Sequence, residues 1–89
     1  MDIKKFRKWN KEHKNFMTPN ILKVKQKENY FLELSEGTGF NNNKIFGVSL
    51  IYWNGKQFKI GDEKSKMFYS KNGAIKYFDD LLDSLVIVS

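Results

Sequence analysis

Pro19, the only proline in the chain, stands where the hydrophobic period changes from that of a helix to that of a strand. Before it, Ile3, Phe6, Trp9, His13 and Phe16 gather in one arc at the helical angle of about 100° per residue. After it, from Ile21 onward, the period drops to two. Proline bars its predecessor from helical geometry, so Thr18-Pro19-Asn20 must end the first element. Neither an all-helical nor an all-strand chain satisfies both periods, and the pattern requires an α+β fold.

The first element reads as a helix from Asp2, a good N-cap, to about Asn15. Opposite its apolar arc lie Lys4, Arg7, Lys8, Lys11 and Lys14, so the helix is amphipathic with a basic face.

In the next segment Leu22, Val24, Tyr30, Leu32 and Leu34 share even parity, while Lys23, Lys25 and Lys27 share odd parity. Keeping the apolar set on one face excludes a two-residue turn at Glu28-Asn29, which would set Val24 against Glu33. It favours a three-residue loop, Lys27-Glu28-Asn29, with Asn29 left-handed, Val24 opposite Leu32 and Leu22 opposite Leu34. Strands over 21–26 and 30–35 follow, with the lysine row on the outer face of the first.

The segment EGTGFNNN, residues 36–43, is a polar loop carrying one aromatic, Phe40. KIFGVSLIYW is apolar on both parities and reads as a central strand covered on both faces. Asn54-Gly55 is a two-residue hairpin signal that returns through KQFKI, setting Ile51 opposite Phe58 and leaving Trp53 near the turn. A short strand at 67–69 is compatible with the pattern. Ser70 then caps a last helix, with Ala74, Ile75, Phe78, Leu81, Leu82 and Leu85 in one arc and Asp79, Asp80 and Asp83 in another. The tail VIVS either frays or pairs as an extra strand.

The expected architecture is an antiparallel sheet of four to five strands flanked by an N-terminal basic amphipathic helix and a C-terminal helix, one α+β domain over residues 1–89. With no cysteine, neither disulfides nor thiolate metal sites can staple it. The core must come from bulk, which eight Phe, four Tyr and two Trp supply. No stretch approaches the roughly 18 apolar residues of a membrane span, and the basic N-terminus lacks the apolar run of a secretory signal. A cytoplasmic location, the host cytoplasm for a viral chain, is the default expectation.

Charge is unevenly placed. Residues 1–27 hold nine Lys/Arg against Asp2 and Glu12, whereas residues 28–89 hold seven basic and eight acidic side chains. The whole positive excess therefore lies in the first third, as expected of a chain that contacts nucleic acid or another anionic surface. Lys23 and Lys25 follow the basic helix and extend the patch onto the sheet. Against this stand two structural roles, solvated helix surface and lysines that blunt an edge strand. Aromatic residues interleave with lysine in YWNGKQFK, where Trp53 is the best placed to stack on a base.

Catalytic signatures are absent. His13 is the only histidine and sits in the apolar arc; there is no cysteine nucleophile and no Ser/His/Asp set beyond the presence of those residues. Glu12-His13-Lys14 spells a carboxylate-x-lysine, but on a helix rather than the strand that nucleases use. Gly37-x-Gly39 leads into a strand, so it is no phosphate loop. Asp79 and Asp83 are one helical turn apart and could face one Mg²⁺, but a basic partner suits them better. No catalytic residue, metal or cofactor is expected.

Lys44, Phe46 and Gly47 match the aromatic strand motif of RRM domains, yet the following aromatics are missing and no helix separates the first two strands, which excludes that fold. The segment from Gly47 to Leu82 resembles, in layout, the sheet-plus-helix arrangement of phage integrase arm-site-binding domains, over under half of the chain. In size and composition the chain is similar to accessory proteins of phages and mobile elements.

The leading expectation is a non-enzymatic binding protein that contacts nucleic acid or a nucleoprotein complex through Lys4, Arg7, Lys8, Lys11 and Lys14, with Lys23, Lys25 and Trp53 in support. The alternative is an inhibitor or adaptor that occludes a host defence enzyme, such as a CRISPR or restriction component, or a replication enzyme; Phe40, Asp79, Asp80 and Asp83 would then be the protein contacts. A toxin-type ribonuclease survives on size and charge alone. A homodimer is compatible with every one of these readings.

Overall fold

Both parities of the second strand are buried, and this places a helix on each side of the sheet. A computed structural model of the chain describes residues 3–13, 17–61 and 63–85. The elements are α1 (Ile3–His13), β1 (Asn20–Lys27), β2 (Tyr30–Thr38), a 3₁₀ turn (Phe40–Asn42), β3 (Lys44–Trp53), β4 (Phe58–Ile60), β5 (Lys66–Phe68) and α2 (Lys71–Ser84). The expected α+β architecture is the one observed. The cap at Asp2, the end of the first helix beyond His13 and the tail at 86–89 lie outside the described residues.

The sheet is antiparallel in the order β1-β2-β3-β4, and β5 also pairs with β3. β4 lies against Ile51–Trp53 and β5 against Phe46–Val48, so the two run along one edge of β3. Leu32 and Leu34 of β2 with Phe46, Val48 and Leu50 of β3 meet Ala74, Phe78 and Leu81 of α2. Phe31 and Ile51 point the other way, onto Phe6 of α1, with Val24, Phe58 and Trp9 around them. The result is three layers, α1 over the sheet and α2 beneath it. Phe6 stacks on Phe31 at 4.3 Å and 4°, adding about 0.5–1.5 kcal/mol to the area term of burying the ring.

Met17 and Thr18 lie on the α1 face of the sheet, against Gly37 and Ser35. Thr18 is buried and accepts a hydrogen bond from the Ser35 hydroxyl at 2.9 Å. A Cβ on Gly37 would stand 1.8 Å from the Met17 carbonyl oxygen, so only glycine lets the backbone cross here. α2 begins where the sequence places it, the Ser70 hydroxyl accepting from the Gly73 amide at 3.2 Å. None of the described helices is long and apolar enough to cross a membrane.

Two turns differ from expectation. The first hairpin does turn in two residues, Glu28-Asn29, with Lys27 opposite Tyr30 and Val24 opposite Glu33; Glu28, not Asn29, takes the positive φ of 54°. The excluded register is stable because α1 covers the odd face of β2, so Val24 packs on Phe6 and Phe31 instead of on the α2 side. At the second hairpin Trp53, not Ile51, opposes Phe58. The Asn54 side-chain oxygen accepts from the Lys56 and Gln57 amides, both at 2.9 Å, and this widens the turn to four residues.

Candidate nucleic-acid interface

α1 is fixed by one narrow stripe. Phe6 and Asn10, one turn apart, are buried, while Ile3 and Trp9 are half-buried. Every cation of the helix is therefore left outside: Lys4, Lys5, Arg7, Lys8 and Lys11 are exposed. Among the described residues, Lys5, Arg7, Lys8 and Lys11 have no carboxylate within 4.0 Å. Three of the ten described lysines outside α1 do: Lys44 is 2.8 Å from Glu36, Lys76 is 2.9 Å from Asp80 and Lys23 is 4.0 Å from Asp79. Hydrogen bonding to Lys44 holds the Glu36 carboxyl below its usual range, and Asp80 raises the Lys76 ammonium. Lys14 lies outside the described residues.

Two clefts flank α1. The one towards β1 has a volume of about 490 Å³, with Arg7 and Lys11 on its helical side and Ile21, Leu22, Lys23 and Val24 on the strand side. A register shift between Ile21 and Lys23 sets Lys23 opposite Leu34 and Lys25 opposite Leu32, on the α2 face. The Lys23 ammonium lies 5.0 Å from the Phe78 ring centroid, next to Asp79. Lys23 thus borders the α1 cleft through its strand while its charge is directed to α2. Lys25 is exposed on the α2 side, and the structure does not bring it to the helix cations. Trp53 is half-buried on the α1 side, 5.0 Å from Phe58, which in turn meets Trp9 at 5.1 Å.

The second cleft, about 290 Å³, lies on the opposite flank of α1, among Trp9, Asn10, His13, Glu33, Ser49 and Ser65. Glu33 is 4% exposed, and the Asn10 amide donates to its carboxylate at 2.5 Å. Burial pushes the Glu33 carboxyl above the ordinary glutamate value, and the Asn10 hydrogen bond opposes that shift only in part. His13 is exposed and stacks on Trp9 at 4.6 Å and 12°, with its Nδ1 2.9 Å from the Trp9 carbonyl oxygen. Glu33 and Asn10 are the residues that sequence reasoning missed. Their signal was present in the odd parity that Glu33 shares with Phe31 and in the one-turn spacing of Phe6 and Asn10.

The protein-contact set divides. Phe40 is 89% exposed, beside Asn41 and Asn42 at φ 60° and 62°, and Met17, Met67 and Tyr69 lie around the same cleft. On α2, Asp79 and Asp80 have lysine partners and Asp83 is exposed. The described residues contain no group of three His, Cys, Asp or Glu able to hold a metal ion. Comparison with family models, curated proteins and solved structures found no match for this chain.

Proposed function

We propose that the protein binds nucleic acid, alone or within a nucleoprotein complex, through the exposed face of α1. The observation that carries this reading is the set of helix cations, Lys5, Arg7, Lys8 and Lys11, left without carboxylate partners among the described residues. Lys4 and Lys8, and likewise Arg7 and Lys11, are like charges one turn apart, each pair costing the helix a few tenths of a kcal/mol. A row of phosphates would turn that repulsion into binding. From Lys4 to Lys11 the helix rises about 10 Å, the axial length of about three phosphates of one strand. The mechanism is phosphate neutralisation with counterion release, and the accessible part of Trp53 adds a stacking surface on the same side.

The test is fluorescence anisotropy with labelled duplex DNA, single-stranded DNA and RNA at about 50 and 200 mM salt. Four phosphate contacts predict a loss of roughly 10²-fold in affinity over that range. Substituting Lys4→Glu, Lys8→Glu and Lys11→Glu together should abolish binding while circular dichroism stays unchanged. Flat, weak binding to all three probes would overturn the proposal.

A second reading, contact with a host protein, is favoured by Phe40. Left-handed asparagines hold this ring out at the tip of its loop, as suits an anchor for a partner's apolar pocket. Phe40→Ala should then release the partner without changing stability.

A further inference from the structure

We infer that the cleft formed by Trp9, His13 and Glu33 receives one unpaired base of the bound strand, and that guanine is the base it fits. This rests on the nucleic-acid reading of α1 and names the chemistry of its ligand. The Trp9 and His13 rings stack on each other within 12° of parallel, so the flat surface they offer a ligand is the outer face of the exposed His13 ring. Such a surface suits a planar ring better than a flexible alkyl chain. On the far side β4 pairs with β3 up to Ile60 and β5 pairs with it from Lys66, and Ile60 and Ser65 line the cleft between them. At about 290 Å³ the space is near the lower end of ligand cavities, suited to one ring system with the phosphates left outside on the helix.

The polar groups then choose among rings. Glu33 Oε2 accepts from Asn10, but an ionised carboxylate has about four acceptor positions, so capacity remains on both oxygens. His13 Nδ1 faces the Trp9 carbonyl oxygen, which can only accept, so Nδ1 carries a proton. The Ser65 hydroxyl donates to the Gly61 carbonyl and accepts from the Leu50 amide. The second Asn10 amide N–H and the Ser49 hydroxyl can donate, while the Glu33 carboxylate supplies two acceptor oxygens side by side. Guanine is the base whose Watson–Crick edge places two donors, N1–H and the N2 amino group, side by side, matching the two oxygens of a carboxylate. Adenine and cytosine each set a ring-nitrogen acceptor beside their amino group, and uracil flanks one N–H with carbonyls; all three would face Glu33 with an unmatched lone pair.

The position of Glu33 fits this role. A carboxylate this deeply buried is costly unless it gains more donors than the Asn10 amide alone, and a guanine edge would supply two. Trp9 and His13 belong to the same helix as Lys8 and Lys11, so one nucleotide can place its phosphate on the helix face and its base in the cleft.

The test is titration of the intact protein with GMP, AMP, CMP and UMP, followed by NMR, beside the oligonucleotide anisotropy. The expected result is GMP binding about tenfold or more tightly than the other three, with shifts centred on Trp9, His13 and Glu33. Glu33→Gln, which keeps an acceptor for Asn10, should bring GMP down to the level of the others. His13→Ala, at an exposed position, should weaken all four nucleotides. Equal binding of the four, or a guanine preference that survives Glu33→Gln, would overturn the inference. Salt-dependent oligonucleotide binding with no base preference would reject the pocket and keep the helix reading. GMP binding without oligonucleotide binding would do the reverse.

Discussion

The Asn10 side-chain amide donates to the Glu33 carboxylate at 2.5 Å, joining the buried stripe of α1 to the middle of β2. Phe6, one turn before Asn10, seals the same contact with Phe31, two residues before Glu33 on the same strand face. Burial favours the neutral acid, so the carboxyl is raised above its value in the unfolded chain. A raised acid contributes stability below the unfolded value, and that contribution is lost as pH rises through the folded value. At neutral pH the ionised group is therefore a cost. Glu33→Gln should melt at a higher temperature than the parent at pH 7, and the difference should close as pH falls to about 4. Thermal unfolding between pH 4 and 8 measures this directly, and a lower melting temperature for the variant at pH 7 would show that the fold favours the charged form.

Removing the other partner has the opposite sign. Asn10→Ala leaves Glu33 buried without its amide donor, and loss of that hydrogen bond should cost about 1–3 kcal/mol. The loss should be largest above the folded pKa of Glu33, where the carboxylate is charged. Urea unfolding at pH 4 and pH 7 gives the comparison.

Phe6 is fully buried and meets Phe31 and Phe58 as well as its helical neighbour Trp9. Phe6→Ala should cost about 3–5 kcal/mol in chemical denaturation. The cluster beneath α2 contains no residue of α1. Loss of the Trp9 near-ultraviolet signal is therefore expected before α2 and its strands unfold.

How much of this was legible follows from how local each signal is. α2 is legible because its apolar arc and the Ser70 cap lie within one segment, and β3 because both its parities are apolar. The first hairpin is not legible, because setting Val24 opposite Glu33 fails only where one face of the sheet is wet. The cover over the second face comes from Phe6, 18 residues earlier than Val24 in the chain. The four-residue turn at Asn54 depends on a side-chain oxygen taking two backbone amides, which the dipeptide Asn-Gly does not reveal. The basic face of α1 was visible in the helical period. The Glu33 cleft was not, since it needs a helix, the middle of a strand and a break in the sheet edge at once.

Gly37 offers a sharp test of the chain path. Its missing Cβ would fall on backbone atoms of Met17 and Thr18, which cannot swing aside as a side-chain end does. Gly37→Ala should destabilise by about 1–3 kcal/mol, as overpacking generally does. Phe40→Ser, on the neighbouring loop but almost fully exposed, should change stability by less than about 0.5 kcal/mol.

The register shift at Leu22 separates two sets of lysines that the sequence runs together, and binding should follow that separation. Lys8 stands on the exposed face of α1, whereas Lys25 pairs opposite Leu32 on the α2 side of the sheet. If phosphates lie along α1, Lys8→Gln should weaken every oligonucleotide alike and lower the salt slope by about one. Lys25→Gln should leave both affinity and slope as they were. Anisotropy over a series of salt concentrations reads both quantities for each variant. Equal losses from the two substitutions would mean that the ligand wraps around the β1 edge onto the α2 face, and the helix would no longer be the surface that positions it.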